Sequence, residues 1–204
     1  MEFKKIQLNG FKSFADKTSL LIEDGITGIV GPNGCGKSNI VESLRWCMGE
    51  TSAKSMRVSG MEDVIFSGTS NKPSKNIAEV IVNLSNDGSL GSHNYKHIPE
   101  IEIRRKIEKD KGSKFHINGK EVRAKDAQMF FADLSTGAHS PSLISQGRIG
   151  SLVTAKPSDR RAILEEAAGI SGLHARRHEA EVRLNAAENN LKRADELRRQ
   201  QEKQ

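Results

Sequence analysis

One short stretch of this chain has the residue types and the spacing to hold a phosphate group. Residues 31–38 read Gly-Pro-Asn-Gly-Cys-Gly-Lys-Ser, which fits the phosphate-loop pattern G-x-x-x-x-G-K-[ST]. Its glycines let the backbone curl until successive amide groups face one anion. Lys37 would supply a positive charge for the outer phosphates, and Ser38 a hydroxyl for Mg²⁺. The alternative is a glycine-rich turn with a chance Lys-Ser pair.

The segments on either side predict the elements that would position this loop. Residues 25–30 are short, apolar and rich in β-formers, which predicts a buried strand. Residues 39–48 predict a helix with an apolar face that ends at Gly49. The positive end of the helix dipole would face the phosphate. Strand, glycine loop and helix form the context that the motif requires, which favours a nucleotide site over a chance turn.

The length of the chain allows either one domain with a sizeable core or a domain plus an appendage. The chain has 204 residues, of which 28% are charged and 35% hydrophobic, and a net charge of +6. That charge makes an anionic partner plausible, although a merely basic surface would give the same value. The two cysteines, Cys35 and Cys47, argue against a disulfide scaffold or a zinc site. Because no run is apolar enough to cross a membrane and the start lacks a signal-peptide core, we expect the cytoplasm.

The rest of the first three quarters of the chain predicts a β-rich lobe. Asn118-Gly119 is the strongest hairpin signal. Residues 51–62 read as a polar, basic loop and 85–99 as a surface loop. The predicted strands are 3–8, 18–22, 63–68, 77–84, 101–107, 113–117 and 121–123, followed by a short helix over 124–134.

The last quarter predicts a long helix with a coiled-coil seam. From Pro157 onward strong helix formers dominate, with a possible break at residues 169–172. From Leu173 the helix would project roughly 45 Å at 1.5 Å per residue. The alternative is an amphipathic helix packed on its own domain. The seam residues follow alternating spacings of four and three: Leu173, Arg177, Ala180, Leu184, Ala187, Leu191, Ala194 and Arg198.

A second acidic motif, which a phosphate-loop ATPase needs for Mg²⁺ and for the attacking water, is not found in the sequence. The strand over 80–84 runs into Ser85-Asn86-Asp87, which places its carboxylate too far into a turn. The chain therefore reads as half of an active site, and alone it should bind ATP weakly and hardly hydrolyse it. A self-sufficient kinase or GTPase would need an internal acidic motif or a guanine-reading N-K-x-D, and neither occurs.

Several motifs, in order along nearly the whole chain, resemble the amino-terminal head of the SMC chromosome-condensation ATPases, above all in their bacterial form. The phosphate loop alone is shared by many families, but the ordered set is specific. RecN and RecF repair ATPases share the loop and match the stretch from Met56 to Gly68 less well. The motifs are Gly10-Phe11-Lys12-Ser13-Phe14, residues 30–39, Met56-Arg57 with 61–66, Ser145-Gln146-Gly147-Arg148-Ile149, Asp159-Arg160-Arg161 and Glu165-Glu166-Ala167-Ala168-Gly169.

The resemblance implies an α/β fold with a mixed sheet: half of an ABC-type ATPase head, with a helix that projects into an antiparallel coiled coil. The amino-terminal lobe would comprise residues 1–156 and the coil helix residues 157–204. A carboxy-terminal lobe would supply the ABC signature, the second acidic motif and the catalytic glutamate. Leu134-Ser135-Thr136-Gly137 only imitates the signature, since it precedes Gln146. The implied partners are that lobe, a second head, DNA and accessory regulatory subunits. The implied location is the nucleoid, and the implied role is chromosome condensation and segregation.

The resemblance also implies roles for single residues, with ATP and Mg²⁺ as cofactors. Ser38 and Gln146 would contact Mg²⁺. Arg57 would act as an arginine finger, and Lys37, Arg57 and Gln146 would form the catalytic group. The residues implied in nucleotide binding are Lys12, Pro32, Asn33, Gly34, Cys35, Gly36, Lys37, Ser38 and Asn39.

Alternatives stay open for several of these residues. Arg57 could be a solvated loop charge and Gln146 an ordinary loop glutamine. A truncated head that binds nucleotide and only docks to partners would give the same motifs without catalysis. The basic hairpin region predicts contacts to the DNA backbone or, equally, a solvated face. Its candidate DNA-binding residues are Arg104, Arg105, Arg123 and Lys125.

Overall fold

A six-stranded antiparallel sheet forms the body of the protein. The computed structural model describes residues 2–86, 95, 97–134, 140, 143–144, 150, 153–168 and 171–202. The strand order is β2-β1-β3-β4-β5-β6, and every neighbouring pair is antiparallel. The strands are β1 (Glu2–Asn9), β2 (Thr18–Leu21), β3 (Ile77–Ser85), β4 (Glu100–Glu108), β5 (Gly112–Ile117) and β6 (Lys120–Val122).

Two helices, Lys37–Cys47 and Ala124–Asp133, pack against this sheet. The described helices are α1 (Lys37–Cys47), α2 (Ala124–Asp133), α3 (Pro157–Ala167) and α4 (Ser171–Glu202). Alternate residues of β3 and β4, such as Val80, Val82 and Ile103, point into the core because strand side chains alternate between faces. Trp46 from α1 and Phe131 from α2 join them in one buried cluster. The predicted combination of a sheet with helices is thus confirmed.

The turn between β5 and β6 follows the local sequence signal. Asn118 and Gly119 both have positive φ, at 48° and 79°. A two-residue hairpin turn of this kind needs positive φ at both central positions, which asparagine and glycine tolerate best. The predicted hairpin is therefore confirmed, as are the predicted strands over 3–8, 18–22, 77–84 and 101–107 and the helices over 39–48 and 124–134.

The predicted buried strand over residues 25–30 is wrong. This segment belongs to no strand, and the side chains of Ile26 and Val30 are 100% and 93% exposed. An apolar, β-rich run becomes a buried strand only when neighbouring strands and a covering layer exist. The described residues offer neither at this place, because the sheet ends at β2 on this side.

The predicted strand over residues 63–68 is also wrong. Met61–Val64 forms a short 3₁₀ helix, and Ile65 makes only an isolated bridge to Phe11. The carboxylate of Asp63 accepts a hydrogen bond from the Gly60 amide at 2.7 Å. This local bond competes with extended backbone, as short acidic side chains commonly do.

The last described helix, α4, leaves the body of the protein. Its described side chains from Ala180 onward are exposed, including Leu184 and Leu191. Near its base it passes α2, where the hydrogen bond from Arg123 and, to a smaller extent, the charge of Arg183 lower the pKa of the Asp126 carboxyl. The predicted helix is confirmed. The predicted break at residues 169–172 lies partly outside the described residues, since 169 and 170 are not described. None of the described helices is long and apolar enough to span a membrane.

Candidate functional site

The glycine loop is shaped by residues that pack beneath it. Gly36 has φ +95°, and a Cβ atom there would lie 2.5 Å from Ser13 Oγ, so only glycine fits. The Asn39 side chain donates a hydrogen bond to the same Ser13 hydroxyl at 2.8 Å. The turn after β1 therefore carries the C-terminal end of the loop and the start of α1.

Lys37 lies across the loop. Its Nζ donates hydrogen bonds to the carbonyl oxygens of Gly31 at 2.5 Å and Pro32 at 2.7 Å. Cys35 Sγ lies 3.9 Å from the same nitrogen. The ammonium group thus sits at the mouth of the loop, where it can exchange carbonyl oxygens for phosphate oxygens.

The start of α1 is suited to binding an anion. Within the described part of the chain, no side chain caps its first turn, which follows Gly36 directly. Amide groups at an uncapped helix start, together with the helix dipole, attract a phosphate. Pro32, Asn33, Gly34, Cys35 and Ser38 are exposed around this point, as the predicted nucleotide site requires.

Of the two predicted Mg²⁺ ligands, only Ser38 lies among the described residues. Ser38 lies in the first turn of α1 and is exposed. Gln146, its predicted companion, lies outside the described residues, as do Ser145, Gly147, Arg148 and Ile149. Among the described residues there is no cluster of His, Cys, Asp and Glu that could hold a metal by itself. A metal at Ser38 would therefore need ligands from the nucleotide and from elsewhere in the protein.

A buried carboxylate that the sequence analysis missed stands beside this site. Glu42 lies in α1, one helical turn after Ser38, and its side chain is only 6% exposed. Its Oε2 accepts a hydrogen bond from Lys12 Nζ, and its Oε1 lies 3.1 Å from Arg57 Nε. One feature of the sequence could have revealed Glu42: it is an acidic residue among the apolar positions of a helix, close to Ile40 and Ser43, which are buried.

Lys12 is largely buried beside Glu42. Its Nζ also donates to the Met56 carbonyl, and its side chain is 12% exposed. Its predicted contact with nucleotide would have to compete with these two bonds. The structure brings Lys12, Arg57 and α1 together, although the three come from separate segments of the chain.

A second buried carboxylate shapes the loop that carries Arg57. Glu50 accepts hydrogen bonds from the Ser52 amide at 2.9 Å and the Ser55 hydroxyl at 2.7 Å. Arg45 pairs with it at 3.1 Å. The loop after α1 is therefore an ordered turn. The Arg57 side chain at its end is 56% exposed.

The predicted DNA-binding residues divide into two groups. Arg104, Arg123 and Lys125 lie at or near the surface, with Arg104 paired to Glu79 and Glu102 and Arg123 paired to Asp126. Arg105 is 2% exposed and faces the core, because it shares the inward register of Ile103 and Ile107 in β4. The structure removes Arg105 from the set of possible DNA contacts.

The two cysteines have opposite surroundings. Cys35 is exposed at the loop mouth, whereas Cys47 is fully buried. Burial raises the pKa of the Cys47 thiol to about 12. Of these two thiols, only Cys35 is accessible to reagents from solvent.

Comparison with known proteins gives a consistent picture. The family model "RecF/RecN/SMC N terminal domain" matches residues 2–148. The "Chromosome partition protein Smc" of Rhodopseudomonas palustris is 53% identical over 197 residues, which are 97% of this chain and 17% of that protein. The chain thus spans about a sixth of the length of that curated relative.

Solved structures extend the likeness to the fold. One, described as "Structural biochemistry of ATP-driven dimerization and DNA stimulated activation of SMC ATPases", has a TM-score of 0.72 and 30% identity, over 82% of this chain and 99% of that one. Another is the Smc head domain with an extended coiled coil bound to the C-terminal domain of ScpA from Pyrococcus furiosus. It has a TM-score of 0.74 and 30% identity, over 96% of this chain and 49% of that one.

Proposed function

The chain belongs to the RecF/RecN/SMC N terminal domain family, and we propose that it is the amino-terminal half of an ATP-hydrolysing head that acts in chromosome partition. The observation that carries the proposal is the glycine loop at the uncapped start of α1, with Lys37 at its mouth and Arg57 converging on the same helix. Residues 1–156 form the lobe in this proposal, and residues 157–204 lead into the coil.

The nucleotide would be held by the residues that surround the loop. The backbone of residues 32–36 and the first amide groups of α1 would bind the phosphates, Lys37 would neutralise their charge, and Ser38 with Gln146 would hold Mg²⁺. Bound Mg²⁺ would supply charge neutralisation on the phosphate oxygens. Arg57 provides a planar guanidinium for charge that develops during transfer.

The exposed segment over residues 25–30 supports a half-site. Ile26, Ile29 and Val30 form an apolar run that no described strand pairs, directly before the loop. We propose that a carboxy-terminal lobe supplies neighbouring strands here, together with the signature and the second acidic motif. The further partners in this proposal are a second head, a ScpA-like regulatory subunit and DNA on the bacterial nucleoid.

The test compares Lys37→Ala with Arg57→Ala in the protein that carries both lobes. Lys37 meets the ground-state phosphates, so Lys37→Ala should weaken ATP binding and abolish turnover. Arg57→Ala should lower turnover and leave binding nearly intact, because its contribution belongs to the transition state. The loss should be below the roughly 10³-fold or more of GTPase fingers, since an opposing lobe shares the charge.

Binding can be followed without turnover through Cys35. ATP should protect Cys35 from alkylation in the wild-type protein and not in Lys37→Ala, while buried Cys47 serves as the internal control. Turnover that survives Lys37→Ala would contradict the proposed site. Wild-type turnover in Arg57→Ala would leave the nucleotide site in place and remove only the finger role.

A further inference from the structure

The cluster around Glu42 contains three charged groups from three separate segments. Glu42 lies in α1, Lys12 in the turn after β1, and Arg57 in the loop after α1. Two cations on one carboxylate would be an ordinary surface arrangement. Here the carboxylate side chain is 6% exposed and the lysine side chain 12% exposed. Burying a carboxylate raises the free energy of the folded state unless a cation pairs with it. The fold must therefore bring these three segments together.

Backbone strain occurs at both cations. Lys12 and Arg57 have positive φ, at 46° and 52°, a region that residues other than glycine rarely adopt. Such conformations persist only when the surrounding structure fixes them, and they concentrate at functional sites. Both strained residues direct their charged ends to the same carboxylate.

The two cations engage Glu42 in different ways. Lys12 bonds both to Glu42 and to the Met56 carbonyl, which ties α1 to the residue just before Arg57. Arg57 forms an ion pair with Glu42, with 3.1 Å between Arg57 Nε and Glu42 Oε1. Lys12 therefore neutralises the carboxylate and fixes the loop, while the ion pair holds the guanidinium of Arg57 beside α1.

We propose that Glu42 is the positioning residue for Arg57, an inference that rests on the proposed function. The ion pair with this carboxylate keeps the guanidinium of Arg57 beside α1, one helical turn after Ser38. A guanidinium carries paired donors that recognise phosphate oxygens. Lys12 holds the buried carboxylate in place.

Glu42→Gln in the full-length protein tests this role. The variant keeps the shape of the side chain and removes its charge, so Arg57 loses its fixed orientation. We expect kcat to fall by about tenfold to a hundredfold, the scale of a misplaced catalytic group. ATP affinity, followed by protection of Cys35 from alkylation, should change much less. Glu79→Gln is the matched control, because it removes a half-buried carboxylate that pairs with Arg104 and is not part of the Glu42 cluster.

A double-mutant cycle separates positioning from general damage. If Glu42 acts through Arg57, Glu42→Gln should change kcat by less than about twofold once Arg57→Ala is present, because contacting residues are non-additive. A purely structural role would lower kcat by the same factor in both backgrounds. Full additivity, or an unchanged kcat in the single variant, would overturn the proposal.

Glu42→Asp covers the case in which Glu42→Gln does not fold. The aspartate keeps the charge for Lys12 but is one methylene shorter, so it should lose part of the hold on Arg57 and lower kcat with the same dependence on Arg57. Wild-type kcat in a folded Glu42→Asp protein would count against positioning. Turnover that survives Lys37→Ala would overturn the proposed function itself, whereas turnover that needs Lys37 but ignores Glu42 would overturn only this inference.

Discussion

At the residue scale, Arg105 links the sheet to the end of the helix that begins at the phosphate loop. Its guanidinium lies 4.4 Å from the ring centre of Trp46 and 4.6 Å from that of Phe115. It donates hydrogen bonds to the carbonyl oxygens of Trp46 at 2.6 Å and Glu50 at 2.7 Å. Burial lowers its pKa to about 10, so it remains charged at neutral pH. A cation in this position adds a second donor to the Trp46 carbonyl, which also accepts a hydrogen bond from the Gly49 amide at 3.1 Å, and it binds the Glu50 carbonyl just beyond the helix.

Arg105→Ala should therefore destabilise the lobe by about 3 kcal/mol, since it removes two hydrogen bonds from a charged donor to carbonyl groups and leaves a cavity between two rings. Urea unfolding followed by the fluorescence of Trp46, the single tryptophan, measures this loss. Arg104→Ala, at the neighbouring and partly exposed position, is the control and should cost less than about 1 kcal/mol. Equal losses would mean that the stacking and the carbonyl bonds contribute little.

The burial of Arg105 could have been predicted from the sequence. The alternation of Ile101, Ile103 and Ile107 already places position 105 on the inward face of a strand. The glycine loop and α1 could be predicted because one local motif and one helical period specify them. The pairing of Glu42 with Lys12 and Arg57 could not, because it joins three segments whose approach depends on the whole fold.

At the element scale, β3 and α4 differ in how far neighbouring elements pair with them and bury them. β3 is paired on both sides, by β1 and β4, and its inward residues are buried. The outer part of α4 has mainly local ion pairs such as Arg198 with Glu202. Local pairs of this kind add only a few tenths of a kcal/mol, so a lone helix stays marginal in water. The segment over residues 25–30 also lacks a neighbouring strand among the described residues. A β-rich run forms a strand only where it can hydrogen-bond to the edge of a sheet.

Hydrogen exchange should reproduce this order in the isolated chain. Amides of Val80 and Val82 in β3 should exchange slowly, and those of α4 beyond Leu184 and of Ile26 and Ile29 should exchange fast. Adding the carboxy-terminal lobe should slow exchange in both fast segments, because it would supply a sheet neighbour and a second coil helix. Protection of α4 equal to that of β3 without the lobe would show that the helix packs on its own domain.

At the scale of the whole molecule, the net charge of +6 is spread over a surface on which many cations are already paired. Arg104 and Arg123 each face a carboxylate, and the exposed pairs contribute little stability. Exchanging such a carboxylate for a DNA phosphate therefore costs little. Non-specific DNA binding by this lobe remains a prediction, now without buried Arg105.

Salt dependence provides the test of that prediction in the full-length protein. If Arg104, Arg123 and Lys125 contact phosphates, log K should fall with log salt by about 0.9 per contact, equally for duplexes of unrelated sequence. Replacing all three with alanine should flatten the slope by up to about 2.7, because each contact releases counterions from the duplex.

The matched control removes the same charge from paired cations elsewhere: Lys4, Lys72 and Arg161. That triple variant lowers the net charge of the protein equally but should leave the slope nearly unchanged, since counterion release depends on contacts and not on total charge. Equal flattening in both triple variants would reduce the effect to overall charge. An unchanged slope in the first variant would place the DNA contacts on another part of the protein.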